Sequence, residues 1–478
     1  MAITINHQTN DISATSGSLT IDGASAGGAS SNTGTGNFIG GTGAGAALES
    51  GAEYNTLLGN NTGNDVTTGD MNTAVGYNAL ANLTTGSRNV AIGPYAATFS
   101  NSDDNIAIGN TALYGTILNM VSGGTNVAIG RMAGRDVTTG GSNVFIGNEA
   151  GFETTTGTVN IALGFYSLKN NTTGIDNIAL GRYALQTVTT NSYNIALGRV
   201  AARYQTGSNN VALGYSALQG TSGNSSGDHN IAIANEALYL NRGAGNIGLG
   251  YQAAKNTVGT SSTGYNTAIG YQALLYNTSG NSNIALGTEA AKGVVNNSTA
   301  DYNVAIGYQA LFGYTTGGYN VAIGYNAGNL ITTGTNNTVI GSNADPSSAT
   351  ATNEVTLGDA NVTALRCQVT SITALSDARD KTDVAPLQAG LDFVERLDPV
   401  SFTWNMRDGG KVGVEDTGFI AQDLQRVQED TGITIPNLVY DENPDKLEAA
   451  YGTLIPVLVK AIQELSAKVD ELEAQLNS

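Results

Sequence analysis

Ser376 and Lys381, five positions apart in "LSDARDK", are the residues of this chain best suited to covalent chemistry. A serine hydroxyl is a weak nucleophile until a base takes its proton. A lysine acts as that base only as the neutral amine, which burial or a neighbouring cation favours. The rest of the side-chain inventory is poor in other reactive groups. The only histidines are His7 and His229, and the only cysteine is Cys367. A Ser-His-Asp triad, a histidine metal site, an intrachain disulfide and a cysteine metal site therefore lack their residues, and no cofactor or metal is expected. Spacing adds a constraint. If residues 376–381 ran extended, their end Cα atoms would stand roughly 16 Å apart, too far for the lysine to reach back. Either the segment bends sharply, or the lysine of another subunit serves the serine.

The pair sits on a seam in composition. Residues 1–375 carry 19 acidic and 11 basic residues, whereas residues 376–478 carry 20 and 9 in about a quarter of the length. Trp404, the sole tryptophan, and five of the seven prolines also fall in the second part. A boundary near residue 375 follows. Before it, residues 359–375 read as a β connector from their Val, Thr and Ile content. At the other end, "AITI" and "SLTI" within residues 1–20 read as two short strands. Residues 22–50, mostly Gly, Ala, Ser and Thr, read as a linker or irregular first rungs. Residues 1–50 are thus assigned to a capping or attachment segment.

Residues 51–358 are an array. The unit N-[IV]-A-[IL]-G recurs as "NVAIG" at 89–93 and "NIALG" at 177–181, and its glycine returns every 16 or 17 residues, with four longer units, for 18 units. A second short block such as "YNAL" or "YQAL" and a polar turn complete each unit. Two extended segments per 17 residues are too short for a helix pair and suit one rung of a parallel β-solenoid. Alternation places Val and Ile of "NVAIG" on one face and Ala and Gly on the other. The large face is expected to fill the coil, and the small face to let another coil approach, giving a trimer packed through Ala and Gly; a dimer stays open. At about 4.8 Å per rung the shaft is on the order of 85 Å long. The asparagine before each strand is expected to form a structural ladder. Tyr77, Tyr215, Tyr251, Tyr271, Tyr308 and Tyr325 follow the glycine and are expected to pack between rungs, with sugar stacking as the alternative. The calcium-solenoid pattern G-G-x-G-x-D is absent.

The shaft repeats resemble the β-roll head of trimeric autotransporter adhesins and the repetitive shafts of bacteriophage tail fibres. The C-terminal part carries four blocks in order. These are L-S-D-x-R-x-K at Leu375, Ser376, Asp377, Arg379 and Lys381, then "LDFVERLDPVSFTW" at 391–404, "GFIAQDL" at 418–424, and "YGTLIPVLVKAIQEL" at 451–465. Together they resemble the C-terminal intramolecular chaperone of phage endosialidase tailspikes and related fibres, a self-cleaving serine peptidase domain. That resemblance implies a domain, residues 376–478, that helps three chains register. It then cuts between Leu375 and Ser376, with Ser376 as nucleophile, Lys381 as base and Asp377 and Arg379 as possible assistants. It also implies a virion protein made in the host cytoplasm, docked through its N-terminus on the phage tail or baseplate and binding a host surface receptor, with carbohydrate as one candidate class.

The last helix has heptad spacing, with Leu458, Leu465 and Leu472 at d and Ile462, Val469 and Leu476 at a, a pattern that often favours two strands. "GFIAQDLQRV" reads as an amphipathic helix with Ile420, Leu424 and Val427 on its core face. A net charge of −19 excludes nucleic acid as an expected partner. No secretory signal or apolar run long enough to span a bilayer is present, so no membrane insertion is expected. Two other readings remain. A bacterial trimeric adhesin needs an export signal and a membrane anchor, and a capsule-degrading tailspike needs paired carboxylates. "SDD" at 102–104 is one such pair. Of the longer units, "YGTILNMVSGGT" at 114–125, with Ile117, Leu118, Met120 and Val121, is a candidate contact loop.

Overall fold

The computed structural model describes residues 36–115, 120–223, 227–256, 264–362, 364–366, 376–407, 412–441, 445 and 447–477, and four short strands before residue 26. Those four form two antiparallel hairpins, Ile3–Asn6 with Asp11–Ala14 and Thr20–Ile21 with Ala24–Ser25. From Phe38–Gly40 to Val355–Leu357, nineteen three-residue strands stack in chain order, each parallel to the next. One strand precedes the 18 counted from the glycines, at the start of the ladder. The result is a β-solenoid.

Asparagines set the register. The Asn160 side-chain oxygen accepts from the backbone N–H of Asn177 at 3.0 Å and from its Nδ2 at 3.2 Å. Asn177 Nδ2 also donates to the Asn191 carbonyl at 2.9 Å. The backbone contact repeats without a break from Asn37 to Asn337, where Glu354 N–H ends the row. Each buried amide thus satisfies groups on the next rung, which explains one asparagine per turn. Tyrosines after the glycine stack in two places, Tyr251 on Tyr271 and Tyr308 on Tyr325.

The two faces of the strand are the reverse of the sequence expectation. The central Ala of most strands, as in Ala91, Ala179 and Ala305, is fully buried, and the flanking Val, Ile and Leu point outward. The cause is thickness. Each rung folds back at its glycine, so the strand wall lies directly against the second-segment wall, which supplies another buried Ala and a Leu (Ala79 and Leu80, Ala184 and Leu185). A slot that narrow takes a methyl group from the strand in most rungs, with Val339 a larger occupant near the C-terminal end. Exceptions obey volume. Where Phe145 replaces the strand Ala, the facing Leu positions hold Gly134 and Gly151, and where Leu57 does so they hold Gly45 and Gly63.

The C-terminal part is a small α+β unit. Helices α1 (Leu391–Glu395), α2 (Ala421–Thr431) and α3 (Ile455–Leu476) accompany a hairpin of Val400–Asn405 with Val412–Gly418. Its core gathers Phe393, Leu424, Val427, Leu438, Leu454 and Val457. Ile420, expected in that core, is instead the residue preceding α2 and is about two-fifths exposed, because the helix starts one residue later. Gly432 ends α2 in the left-handed conformation. The start of α1 lacks a side-chain cap of its own and takes one from α3, where Glu464 accepts the Leu391 N–H at 2.7 Å. The heptad positions of α3 face away from this core and stay open, Ile462 at 66% exposure and Leu476 at 85%.

The expected β connector at 359–375 falls partly outside the described residues, including Cys367. Its start, Asp359–Val362, is a turn closed by Val362 N–H on the Asp359 carbonyl rather than a strand. In the 114–125 unit, Ile117 and Leu118 lie outside the described residues. Val121, expected in an exposed loop, is buried in the solenoid core, where it bridges to Ser100. Among the described residues no helix is long and apolar enough to cross a membrane.

Candidate active site

The segment after the seam bends. Asp377 caps a single 3₁₀ turn, Ala378–Asp380, by accepting the Arg379 N–H at 2.9 Å. The Arg379 guanidinium closes on the same carboxylate, Nη2 to Oδ2 at 2.6 Å. Those bonds hold the Asp377 carboxyl below its usual range and raise Arg379. The turn carries Lys381 back over Ser376, so that Nζ stands 2.6 Å from Ser376 Oγ and 3.4 Å from its carbonyl oxygen. Of the two ways sequence spacing left open, the chain takes the sharp bend, and serine and lysine meet within one subunit.

The arrangement places a hydroxyl and an amine in hydrogen-bond contact, with Asp377 and Arg379 acting on the turn and not on the serine. Both Ser376 and Lys381 are exposed in the single chain. A lysine serves as base when it is desolvated, and in the single chain Lys381 is open to water. Leu375, on the acyl side of the expected cut, lies outside the described residues.

Elsewhere the carboxylate pair of "SDD" is occupied. Arg88 bonds Asp104 at 2.7 Å and Asp103 at 3.1 Å, and the Asp104 carboxyl is held low by that contact. The two acids therefore bind a guanidinium across rungs and are not placed as an acid and base flanking a substrate. Among the described residues no group of three His, Cys, Asp or Glu is placed to hold a metal ion.

The large strand side chains, expected inside from the sequence, instead make a second exposed surface. The outward strand residues form a largely apolar stripe, interrupted in its first column by Thr56, Thr73, Thr267 and Thr338 and including Ile161, Leu163, Ile284, Leu286, Ile340 and Leu357, each about two-fifths or more exposed. Alternation alone told which residues share a face and gave no signal of which face is inside.

With this geometry in place, comparison with known proteins defines the class of the C-terminal unit. Residues 376–439 match the family described as "Chaperone of endosialidase", so the chain carries that chaperone domain C-terminal to its repeat shaft. It is also 33% identical over 105 residues to the long tail fiber protein Gp37 of Enterobacteria phage K3 and, over the same length, to that of Enterobacteria phage T2. Those matches cover 21% of this chain and only 8% and 7% of the two relatives. No solved structure matches the chain.

Proposed function

We propose that the chain is a phage tail fibre that assembles as a homotrimer, attaches to the tail or baseplate through its N-terminus and binds a host surface receptor through its shaft. The observation that carries this reading is the apolar stripe running the length of a slender coil. Left in water, so long a stripe is a large unburied hydrophobic surface, and association of identical shafts removes it. The assembly surface is therefore the outward Val, Ile and Leu face, not the Ala and Gly face. The open heptad seam of α3 offers the same kind of contact at the C-terminus.

The chaperone domain brings the chains into register and is then released. Ser376 Oγ attacks the Leu375 carbonyl carbon while its proton passes to Lys381 Nζ. The Leu375–Ser376 C–N bond breaks, the freed Ser376 amine takes a proton, and an ester to Oγ remains. Water opens the ester, leaving the Leu375 carboxylate and the serine hydroxyl. Since the pair is open to water in one chain, burial on assembly is what switches the lysine on.

Two measurements test this. Sedimentation of the full chain is expected to give three times 48.8 kDa before cleavage, and Ile284→Asp with Leu286→Asp to reduce it. A monomeric, soluble wild type refutes the assembly reading. Intact mass is expected to reveal a fragment of residues 1–375 that Ser376→Ala and Lys381→Ala both abolish. Cleavage persisting in either variant removes the assigned roles. A capsule-degrading shaft is disfavoured because the Asp103–Asp104 pair is bonded to Arg88.

A further inference from the structure

The second-segment wall of the solenoid, opposite the apolar strand face, varies in chemistry from rung to rung while its inward positions stay small or apolar, mostly Ala, Leu and Gly. Near the N-terminal end this wall opens into a groove of about 320 Å³ spanning four rungs. One half is amide-lined, with Asn61, Asn78 and Asn82, whose side chains make no hydrogen bond among the described residues, beside the Asn64–Asp65 pair joined at 2.7 Å. The other half is aromatic. Tyr95 meets Tyr77 edge-on at 5.2 Å and Tyr114 at 6.3 Å, and Phe99 meets Tyr114 at 5.2 Å. These rings brace one another and are half-buried, so their positions are fixed before any ligand arrives.

We infer that this groove is a binding site for a neutral oligosaccharide, which would make it the receptor-contacting part of the fibre; the biological role rests on the receptor-binding reading above. A carboxamide is both donor and acceptor and matches sugar hydroxyls, which are the same. An aromatic face covers the C–H side of a pyranose, while a tyrosine hydroxyl remains available to the ring's edge. The volume lies at the small end of ligand sites, enough for one or two sugar rings. Charge selects against acidic sugars, because the lining holds Asp65 and no lysine or arginine. Because the apolar strand stripe is on the opposite wall, assembly through that stripe leaves the groove open.

The test uses the full-length assembled protein and a panel of neutral gluco-, galacto- and manno-oligosaccharides, with sialylated and phosphorylated sugars as controls. Binding is read by saturation-transfer NMR and calorimetry. Neutral sugars are expected to bind, with affinity reduced at least tenfold by Tyr95→Ala and by Asn82→Ala. The Asn82 side chain makes no bond among the described residues, so its variant keeps the fold, which sedimentation and melting check. Absence of neutral-sugar binding, preference for acidic sugars, or full affinity in Asn82→Ala and Tyr95→Ala overturns the assignment. Adsorption of the same proteins to a panel of enterobacterial strains separates the two levels. Undiminished adsorption of the variants, with no sugar bound, sinks the groove and leaves receptor binding standing. Sugar binding lost in the variants, with no adsorption of wild type to any strain, leaves the groove standing and sinks its receptor role.

Discussion

Phe145 and Gly151 should behave as one unit, and the sign of a substitution at one should depend on the other. The ring of Phe145 is fully buried in the slot that alanine occupies in most rungs. A Cβ placed on Gly134 comes within 2.8 Å of its Cδ2, and a Cβ on Gly151 meets the same ring more closely still. Phe145→Ala leaves a cavity and is expected to cost about 3–5 kcal/mol. Gly151→Leu in the native background overpacks the slot, at about 1–3 kcal/mol, and adds a left-handed backbone cost of about 1 kcal/mol. Backbone shape does not forbid the leucine. Gly151 has φ +59°, and Leu168 and Leu185 occupy the same place in the next two rungs at φ 49° and 48°. In the Phe145→Ala background the same leucine restores the arrangement of most rungs, and its burial offsets part of the loss, by roughly 1–2 kcal/mol net. The coupling energy is then on the order of 3 kcal/mol, with Gly151→Leu changing from destabilising to stabilising. Denaturant midpoints of the four proteins measure it, as does hydrogen exchange at residues 144–146, where a coupling of that size is about a hundredfold in rate. Additivity within about 0.5 kcal/mol would refute the volume argument.

Asn177→Ala removes a side chain that bridges Asn160, Asn191 and Asn194. It leaves the Asn194 N–H buried without its partner, so a loss of about 1–3 kcal/mol is expected, read as faster exchange of that amide; an unchanged rate speaks against the ladder. Ala234 stands where other rungs place glycine and holds φ 108°, so Ala234→Gly should relieve strain and stabilise the shaft by about 1 kcal/mol; a lower melting point would contradict this. The Leu391 N–H and Lys460 hold the Glu464 carboxyl below its ordinary range. A carboxyl depressed on folding contributes stability above its unfolded pKa of about 4.3, and that stability is lost as pH falls through the lower folded value. Trp404 fluorescence should therefore report acid weakening of the chaperone domain below about pH 4.3 that Glu464→Gln flattens, and a parallel pH profile for the variant would dismiss the cap.

The periodicity is written in the residues themselves. One asparagine, one three-residue strand and one corner glycine per unit define a parallel solenoid, because stacking identical rungs is how so short a unit completes its backbone bonds. The chaperone family was equally legible in the blocks that lie within residues 376–439, as was the heptad seam of α3, whose open face the fold leaves in place. Which strand face is inside was settled by packing. A period of two separates Ala from Val and Ile but is silent on orientation, which is set by the distance between two walls, and that distance depends on the left-handed turns that bring them together. Those turns fall on residues such as Asn78, Tyr95 and Glu149, with φ between 52° and 61°, which carry no glycine signature. The meeting of Ser376 with Lys381 was also beyond spacing, since it required the Asp377 cap that reverses the chain. The groove spanning residues 61–114 has the same origin: its walls come from consecutive rungs some 17 residues apart, and they become neighbours only when the rungs stack.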